Sequence, residues 1–391
     1  MLTVLAVAGY RSIRDLAVPL RRLNLVTGSN GSGKSNLYRA LRLLAETAQG
    51  RVIPWLAREG GLPSTLWAGP ETISRAMKRG EQPVQGGPRR RVVSLRLGFS
   101  GDKFGYAIDL GLPPPSEKSP PSPFTHDPEI KRECIWNGPV MRPSTLLVDR
   151  RGPLVRARAE SGEWTVVSQT LATFDTMMTE CADPSNTPEM LLIRDQIRGW
   201  RFYDQLRTDA GAPARSPQIG THTPVLSHDG ADLAAALATI RQIGDSDALI
   251  ESVADAFPGA SVSVETDNGR FEVEMQQPGL LRPLKGAELS DGTLRYLLWI
   301  AALLTPRPPG LMVLNEPETS LHPDLLPALA RLIMRAAERT QVIVVSHAVG
   351  LIDALQGEPE CHSVTLDKPL GETTVRGVEL LDRPNWQWPA R

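Results

Sequence analysis

Eight residues near the start of the chain, Gly28-Ser29-Asn30-Gly31-Ser32-Gly33-Lys34-Ser35, fit the pattern Gly-x4-Gly-Lys-Ser/Thr at every fixed position. Glycines let a loop turn its backbone N–H groups inward. A helix that starts at the end of the loop adds the positive end of its dipole, so the whole is a cradle for phosphate. Within such a loop Lys34 reaches the β- and γ-phosphates and the Ser35 hydroxyl sits on Mg²⁺. The eight-residue pattern alone recurs by chance in unrelated loops. Here a short apolar run, Leu23–Val26, precedes it and an amphipathic stretch, Asn36–Glu46, follows it. A turn that only reverses the chain needs no Lys-Ser at its end.

A second group of chemically able residues lies far along the chain. Leu311–Leu314 is an apolar run that ends in Asn315-Glu316-Pro317-Glu318. At the C-terminal edge of a parallel sheet, residues that follow a strand face the ligand crevice. In phosphate-loop sites the first of them, usually Asp, helps hold Mg²⁺, and a following Glu acts as base for the attacking water. Asn315 stands at the first position: its carbonyl accepts a hydrogen bond from a metal-bound water but carries no charge. Glu316 is intact. The plain reading, a capped strand-to-helix turn, leaves Pro317 and the matched phosphate loop unexplained. Val342–Val345 then leads into Ser346-His347, which puts a histidine where a γ-phosphate contact or a water-orienting group is needed. A third element, Leu289-Ser290-Asp291-Gly292-Thr293, is a serine cap and a glycine ahead of a helix that runs through Leu304. On its own it is a helix cap. Placed just before the Asn315-Glu316 strand, the Ser290 cap and its helix end form a second anion site, one that suits the γ-phosphate of ATP on another subunit.

The elements that must position these groups are legible as patterns. Residues 2–8 and 16–27 carry short β-type runs. Val92–Phe99 and Phe104–Leu110 alternate as a hairpin around Ser100–Lys103. Residues 112–128 are too rich in proline for a helix or a central strand. Cys134–Trp136, Thr145–Val148, Leu154–Ala157 and Trp164–Val167 read as a meander. Met190–Leu206 has helical period, with Leu191, Ile197, Trp200 and Tyr203 among its apolar positions. Asp232–Gly244 and Ser246–Phe257 read as two more helices, and Ser261–Glu274 as a hairpin closed by Asp267-Asn268-Gly269. Leu311–Leu314, a helix over Leu325–Glu338 and Val342–Val345 form a βαβ unit of a sheet buried on both faces.

Composition narrows the classes. The chain has 391 residues and a formal net charge of -1, enough for one large or two modest domains and without a global basic field. No apolar run is long enough to span a bilayer. The first residues lack a basic region followed by an apolar one, so no signal peptide is expected and a cytoplasmic setting fits the ATP pool. Cys134, Cys181 and Cys361 are odd in number and widely spaced, which suggests neither a disulfide framework nor a zinc site.

Together these motifs, in this order, resemble the ABC-type ATPase heads of the RecF/SMC/OLD group. Gly28–Ser35 is similar to their Walker A, Leu289–Thr293 to the ABC signature, and Leu311–Glu316 to Walker B. Ser320-Leu321-His322-Pro323 resembles the D-loop and His347 the switch histidine. Gly9-Tyr10-Arg11-Ser12 resembles the group's opening, whose residues flank the nucleotide, as Ser12 and Asn36 would here. With Trp200-Arg201-Phe202-Tyr203 and the run from Asn315 to Pro323, the chain resembles the bacterial AAA_21 family of predicted ATPases. No glutamine is placed as the Q-loop residue.

The resemblance implies an α/β P-loop fold: a parallel core sheet, an antiparallel β subdomain and a mixed β/helical insert. It divides the chain into a head lobe over 1–111, an insert over 112–258 and a second lobe over 259–391. Two heads would sandwich ATP and Mg²⁺, each ATP between one subunit's P-loop and the other's Ser290, Asp291, Gly292 and Thr293. The metal would be held by Ser35 and Asn315, and Glu316 and His347 would be catalytic. The expected activity is an ATPase switch closing as a homodimer, acting on DNA or a DNA-associated partner in repair or phage defence. Arg89-Arg90-Arg91 and the helical Arg194, Arg198, Arg201 and Arg207 are the candidate phosphate contacts for DNA. The alternative is a nucleotide-sensing subunit for a separate effector such as a nuclease.

Overall fold

The computed structural model describes residues 1–86, 92, 94–114, 123–204, 206–378 and 383–391. Up to residue 200 the strands are β1 (Leu2–Tyr10), β2 (Ile13–Pro19), β3 (Leu23–Gly28), β4 (Leu95–Gly101), β5 (Phe104–Gly111), β6 (Glu129–Asn137), β7 (Leu146–Arg151), β8 (Leu154–Arg158) and β9 (Trp164–Ser168). Then come β10 (Arg201–Tyr203), β11 (Gln218–Ile219), β12 (Ser261–Asp267), β13 (Arg270–Gln276), β14 (Leu284–Lys285), β15 (Leu311–Asn315), β16 (Gln341–Val345), β17 (Cys361–Asp367) and β18 (Thr374–Val375). The helices are α1 (Lys34–Thr47), α2 (Val52–Arg58), α3 (Gly61–Thr65), α4 (Arg75–Lys78), α5 (Met177–Glu180), α6 (Pro188–Arg198), α7 (Leu233–Ile243), α8 (Ser246–Ala256), α9 (Asp291–Leu303), α10 (Leu326–Ala337) and α11 (Val349–Gln356).

The chain divides into two compact units. One comprises Met1–Arg21, Gly28–Gly199 and Val364–Arg391; the other comprises Arg22–Thr27 and Trp200–Ser363. The first unit is built on an eight-stranded sheet in the order β2-β1-β4-β5-β6-β7-β8-β9, every pairing antiparallel. The expected hairpin and meander are therefore consecutive parts of one sheet. α1 buries Leu37, Leu41 and Leu44 at helical spacing, with Tyr38 and Ala45 beside them. The C-terminal tail returns to this unit. Trp386 packs edge-on against Trp136, Trp388 donates to Asp15, and Arg391 pairs with Asp109 at 2.7 Å.

The second unit holds a parallel sheet, β10-β15-β16-β3, and a small antiparallel one, β11-β13-β12 with β14 on β13. Leu311–Leu314 and all of β16 are buried, as expected of central strands covered on both faces. The hairpin turn expected at Asn268-Gly269 is present, with both residues at positive φ (47° and 76°), the requirement of a type I′ turn.

One element differs from its pattern. The helix expected over Met190–Leu206 stops at Arg198, and Arg201–Tyr203 is instead a strand paired in parallel with Met312–Leu314. Trp200, Tyr203 and Leu206 keep helical spacing, but Gly199 ends the helix. The unpaired edge of β15 then offers three residues a ladder, and tertiary pairing overrides the local period. The four arginines expected in a helical insert are consequently dispersed: Arg194 and Arg198 lie on α6, Arg201 on β10 and Arg207 in the loop beyond. Arg194 pairs with Asp195, Arg198 donates to the Ala48 carbonyl, Arg201 to the Trp200 carbonyl, and Arg207 pairs with Asp209. Arg89, Arg90 and Arg91 lie outside the described residues. The three cysteines are free, and burial pushes all three thiols up, Cys361 to about 11, as fits inert filler.

The first unit also contains a buried charge cluster that no motif announces. Arg150 and Glu133 are fully buried and 2.6 Å apart. Glu133 also accepts from the Tyr106 hydroxyl at 2.8 Å and the Met177 amide at 2.9 Å, while Arg150 donates to the Ala172 and Asp175 carbonyls. The pair ties the meander to the chain leading into α5. Removing one partner leaves the other charge uncompensated in the interior. Arg150→Met is expected to cost about 3–5 kcal/mol of stability, read as a fall in the urea midpoint; a change below about 1 kcal/mol would mean the cluster is not structural.

Candidate functional site

The phosphate loop belongs to the first unit. Gly28, Gly31 and Gly33 have φ of 145°, 80° and 109°, values that L side chains rarely adopt. A Cβ on Gly28 would stand 2.4 Å from the Leu366 carbonyl oxygen, and one on Gly33 would stand 2.1 Å from Thr373 Oγ1, so the loop tolerates no side chain at either point. α1 begins at Lys34 with no side-chain cap and no acidic residue in its first turn. Its leading N–H groups and dipole are thus left for an anion. Ser32 Oγ is buried without a partner, and Lys34 Nζ bridges the Gly28 and Ser29 carbonyls at 2.6 and 3.2 Å. A buried hydroxyl with no partner, an uncapped helix end and an ammonium folded over the loop are the groups a polyphosphate needs.

The loop is braced by residues far away in sequence. Thr373 Oγ1 donates to the Ser32 carbonyl at 2.9 Å and shares a 2.7 Å hydrogen bond with Ser12 Oγ. Asn36 Nδ2 donates to Ser12 Oγ at 2.7 Å. Ser12 and Asn36 therefore meet each other beside the loop, and Thr373 is a brace that sequence reading missed. Asn30 and Ser35 are exposed on its rim.

In the second unit, the parallel register sets Val26 of β3 opposite Val345, and Val345 opposite Asn315. β3 then runs straight into the phosphate loop at Gly28. Asn315 is half-buried at the end of β15. Glu316 follows in a left-handed conformation, φ 49°, a cost of about 1–3 kcal/mol for a non-glycine residue. The turn is held by the Glu316 amide donating to the Val345 carbonyl at 2.8 Å. The buried Trp299 Nε1 also donates to the Pro317 carbonyl, at 2.9 Å. Trp299 lies on α9, so the helix that starts at Ser290 anchors the acidic turn.

Glu318 was read only as part of a run of residues, and it proves to be the organiser of the histidine loop. Its Oε1 accepts from Ser346 Oγ at 2.7 Å, the His347 amide at 3.0 Å and the Ala348 amide at 3.2 Å. His347 Nδ1 stands 3.5 Å from that oxygen and 3.7 Å from Glu316 Oε1. The ring thus turns Nδ1 toward two carboxylates, while Glu316 and His347 are each about half exposed (44% and 53%). Carboxylates this close to an imidazole suit proton handling at a water.

Ser290 caps α9, accepting from the Thr293 amide at 3.1 Å and sharing a 2.8 Å hydrogen bond with Thr293 Oγ1. Gly292 packs so closely that a Cβ would lie 3.0 Å from the Ser320 carbonyl oxygen, which brings the serine-glycine element against Ser320-Leu321-His322-Pro323. Asp291 is exposed and ion-paired with Arg215. Among the described residues no three His, Cys, Asp or Glu side chains converge as a metal site, and no helix is long and apolar enough to cross a membrane.

A protein-family model described as "AAA domain, putative AbiEii toxin, Type IV TA system" matches residues 23–353. No protein of curated function matches the sequence. Among solved structures, an SMC head bound to the C-terminal winged-helix domain of ScpA is 14% identical. That match covers 97% of this chain and 98% of the other, with a TM-score of 0.50. At that identity the likeness is one of fold. An SMC head from Thermotoga maritima is 15% identical over 97% of this chain and 99% of its own, with a TM-score of 0.44. A third, with an extended coiled coil and bound to the C-terminal domain of ScpA, derives from Pyrococcus furiosus. It is 12% identical over 97% of this chain and 96% of its own, with a TM-score of 0.48.

The Glu318 clamp gives a direct expectation. Glu318→Ala strips the acceptor from three donors and is expected to cost about 2–4 kcal/mol in urea unfolding. Glu318→Gln keeps a carbonyl oxygen for the same donors and should cost less than half as much. Equal losses for the two variants would show that the hydrogen-bond geometry is not what Glu318 supplies.

Proposed function

Because the chain belongs to the AAA_21 family of P-loop ATPases, we propose that it is an ATP-hydrolysing switch that closes as a head-to-tail homodimer. The observation that carries this reading is the pairing, within one chain, of a complete phosphate loop with a second anion-binding helix end at Ser290. One polyphosphate needs one cradle, and a second cradle in each subunit finds its use when two subunits share two nucleotides. The N–H groups of Gly28–Ser35, with Lys34, hold the phosphates, and Ser12 and Asn36 flank the nucleotide. Ser290, Gly292 and Thr293 of the other subunit, with Asp291 through its backbone N–H, meet the γ-phosphate.

Glu316 takes the proton of the attacking water. His347, held by Glu318, orients that water or contacts the γ-phosphate. Mg²⁺ neutralises phosphate charge when bound. The Ser35 hydroxyl and the Asn315 carbonyl would hold it, a donor set without a formal charge. The γ-phosphate contact across subunits stabilises only the closed state, so hydrolysis releases it. This is how ATP turnover becomes motion. The target of that motion is DNA or a DNA-associated partner, in repair or phage defence. The alternative reading is a nucleotide-sensing subunit for a separate effector such as a nuclease.

Glu316→Gln is expected to bind ATP, lower the hydrolysis rate at least about a hundredfold and accumulate as an ATP-bound dimer in sedimentation. Lys34→Ala should bind no ATP. Hydrolysis at the parent rate by Glu316→Gln would remove Glu316 from the role of base. Asn315→Asp should lower the Mg²⁺ concentration needed for half-maximal turnover, and an unchanged Mg²⁺ titration would take Asn315 out of the metal's surroundings.

A further inference from the structure

The Ser290 element carries a contradiction that one buried arginine resolves. Ser290 and the first turn of α9 offer N–H groups to an anion, yet the next side chain, Asp291, is a carboxylate in that same turn. An aspartate there stabilises the helix through its dipole but repels an incoming phosphate. Arg215 is nine-tenths buried and its Nη2 stands 2.5 Å from Asp291 Oδ1. The rest of its guanidinium is equally committed. Nε donates to the Thr208 and Asp209 carbonyls at 2.9 and 3.1 Å, and Nη2 donates to the Thr208 carbonyl at 2.8 Å. Nη1 reaches the carbonyls of Leu289 at 2.6 Å, Gly286 at 3.2 Å and Ala287 at 3.4 Å. A planar fork of five N–H donors is the group that can do this; a lysine offers a point charge without the fan.

We propose that Arg215 is the positioning residue of the shared γ-phosphate site. It fixes the backbone of Gly286–Leu289, from which Ser290 projects, and it cancels the charge of Asp291 where another subunit's nucleotide must arrive. The inference rests on the closed-dimer reading above and adds what makes the receiving side competent. It also gives a purpose to the loop from Thr208 to Arg215, which no motif explains. The consequence is a separation of functions: Arg215 matters for closing two subunits and not for loading ATP into one.

The test uses the Glu316→Gln protein as parent, with two readouts: affinity for a fluorescent ATP analogue at dilution, and the ATP-dependent dimer constant by sedimentation. Arg215→Met is expected to keep nucleotide affinity within about twofold and to weaken the dimer at least about tenfold. Adding Asp291→Asn to Arg215→Met should recover most of that loss, as a double-mutant cycle. A purely structural prop would show no such recovery. Asp291 is exposed and Arg215 keeps its backbone carbonyl acceptors in Asp291→Asn, whose fold is checked by parent-like nucleotide affinity. The substitution leaves an uncompensated cation at the site and should tighten the dimer. Parent-like dimerisation by Arg215→Met, loss without recovery in the double variant, or an unchanged or weaker dimer in Asp291→Asn would each overturn the proposal while leaving the closed-dimer reading intact. A parent that stays monomeric with ATP would overturn both.

Discussion

Parallel pairing of β3, β16 and β15 sets Val26 opposite Val345 and Val345 opposite Asn315, so three strands end level at one edge. Asn315, Glu316 and His347 hang from that edge. A slip of one residue in a parallel ladder turns each side chain to the other face, and Glu316 and His347 would no longer meet. Leu311–Leu314 and Gln341–Val345 are buried throughout. β3 passes directly into the phosphate loop at Gly28.

Hydrogen bonds at buried carboxylates then turn this edge into a site. Glu318 gathers Ser346, His347 and Ala348 on one oxygen, and Trp299 fixes the turn from the side of α9. The same helix starts at Ser290. A displacement of α9 therefore reaches both Ser290 and the acidic turn through one helix. In the proposed closed dimer, that is the physical route by which closure onto another subunit's nucleotide would be felt at Glu316. The charge at each step is balanced locally, by Arg215 at Asp291 and by backbone and hydroxyl donors at Glu318.

The parts legible in the sequence were those whose chemistry demands contiguous residue types. The phosphate loop needs glycines, lysine and serine in order, and the β15 turn needs an apolar run followed by an acid, so both stood out. The antiparallel meander and the Asn268-Gly269 hairpin were legible from alternation and turn chemistry. Arg201–Tyr203 was misread because its apolar residues keep helical spacing, and only the open edge of β15 makes it a strand. Glu318, Thr373 and Arg215 were out of reach for another reason. Their partners are carbonyls, amides and hydroxyls brought close only by the fold, and such partners leave no pattern of side-chain types. The buried pair of Arg150 and Glu133 was hidden in the same way, inside strands that alternate as ordinary surface strands do.

The central claim is that each nucleotide is shared between two subunits, and complementation tests it most directly. Lys34→Ala destroys the phosphate loop and spares Ser290, whereas Ser290→Arg blocks the receiving element and spares the loop. Each protein alone is expected to be inactive, and an equimolar mixture is expected to regain ATP hydrolysis, because a mixed dimer has one intact composite site. Activity of Ser290→Arg on its own, or a mixture as silent as its components, would contradict the account.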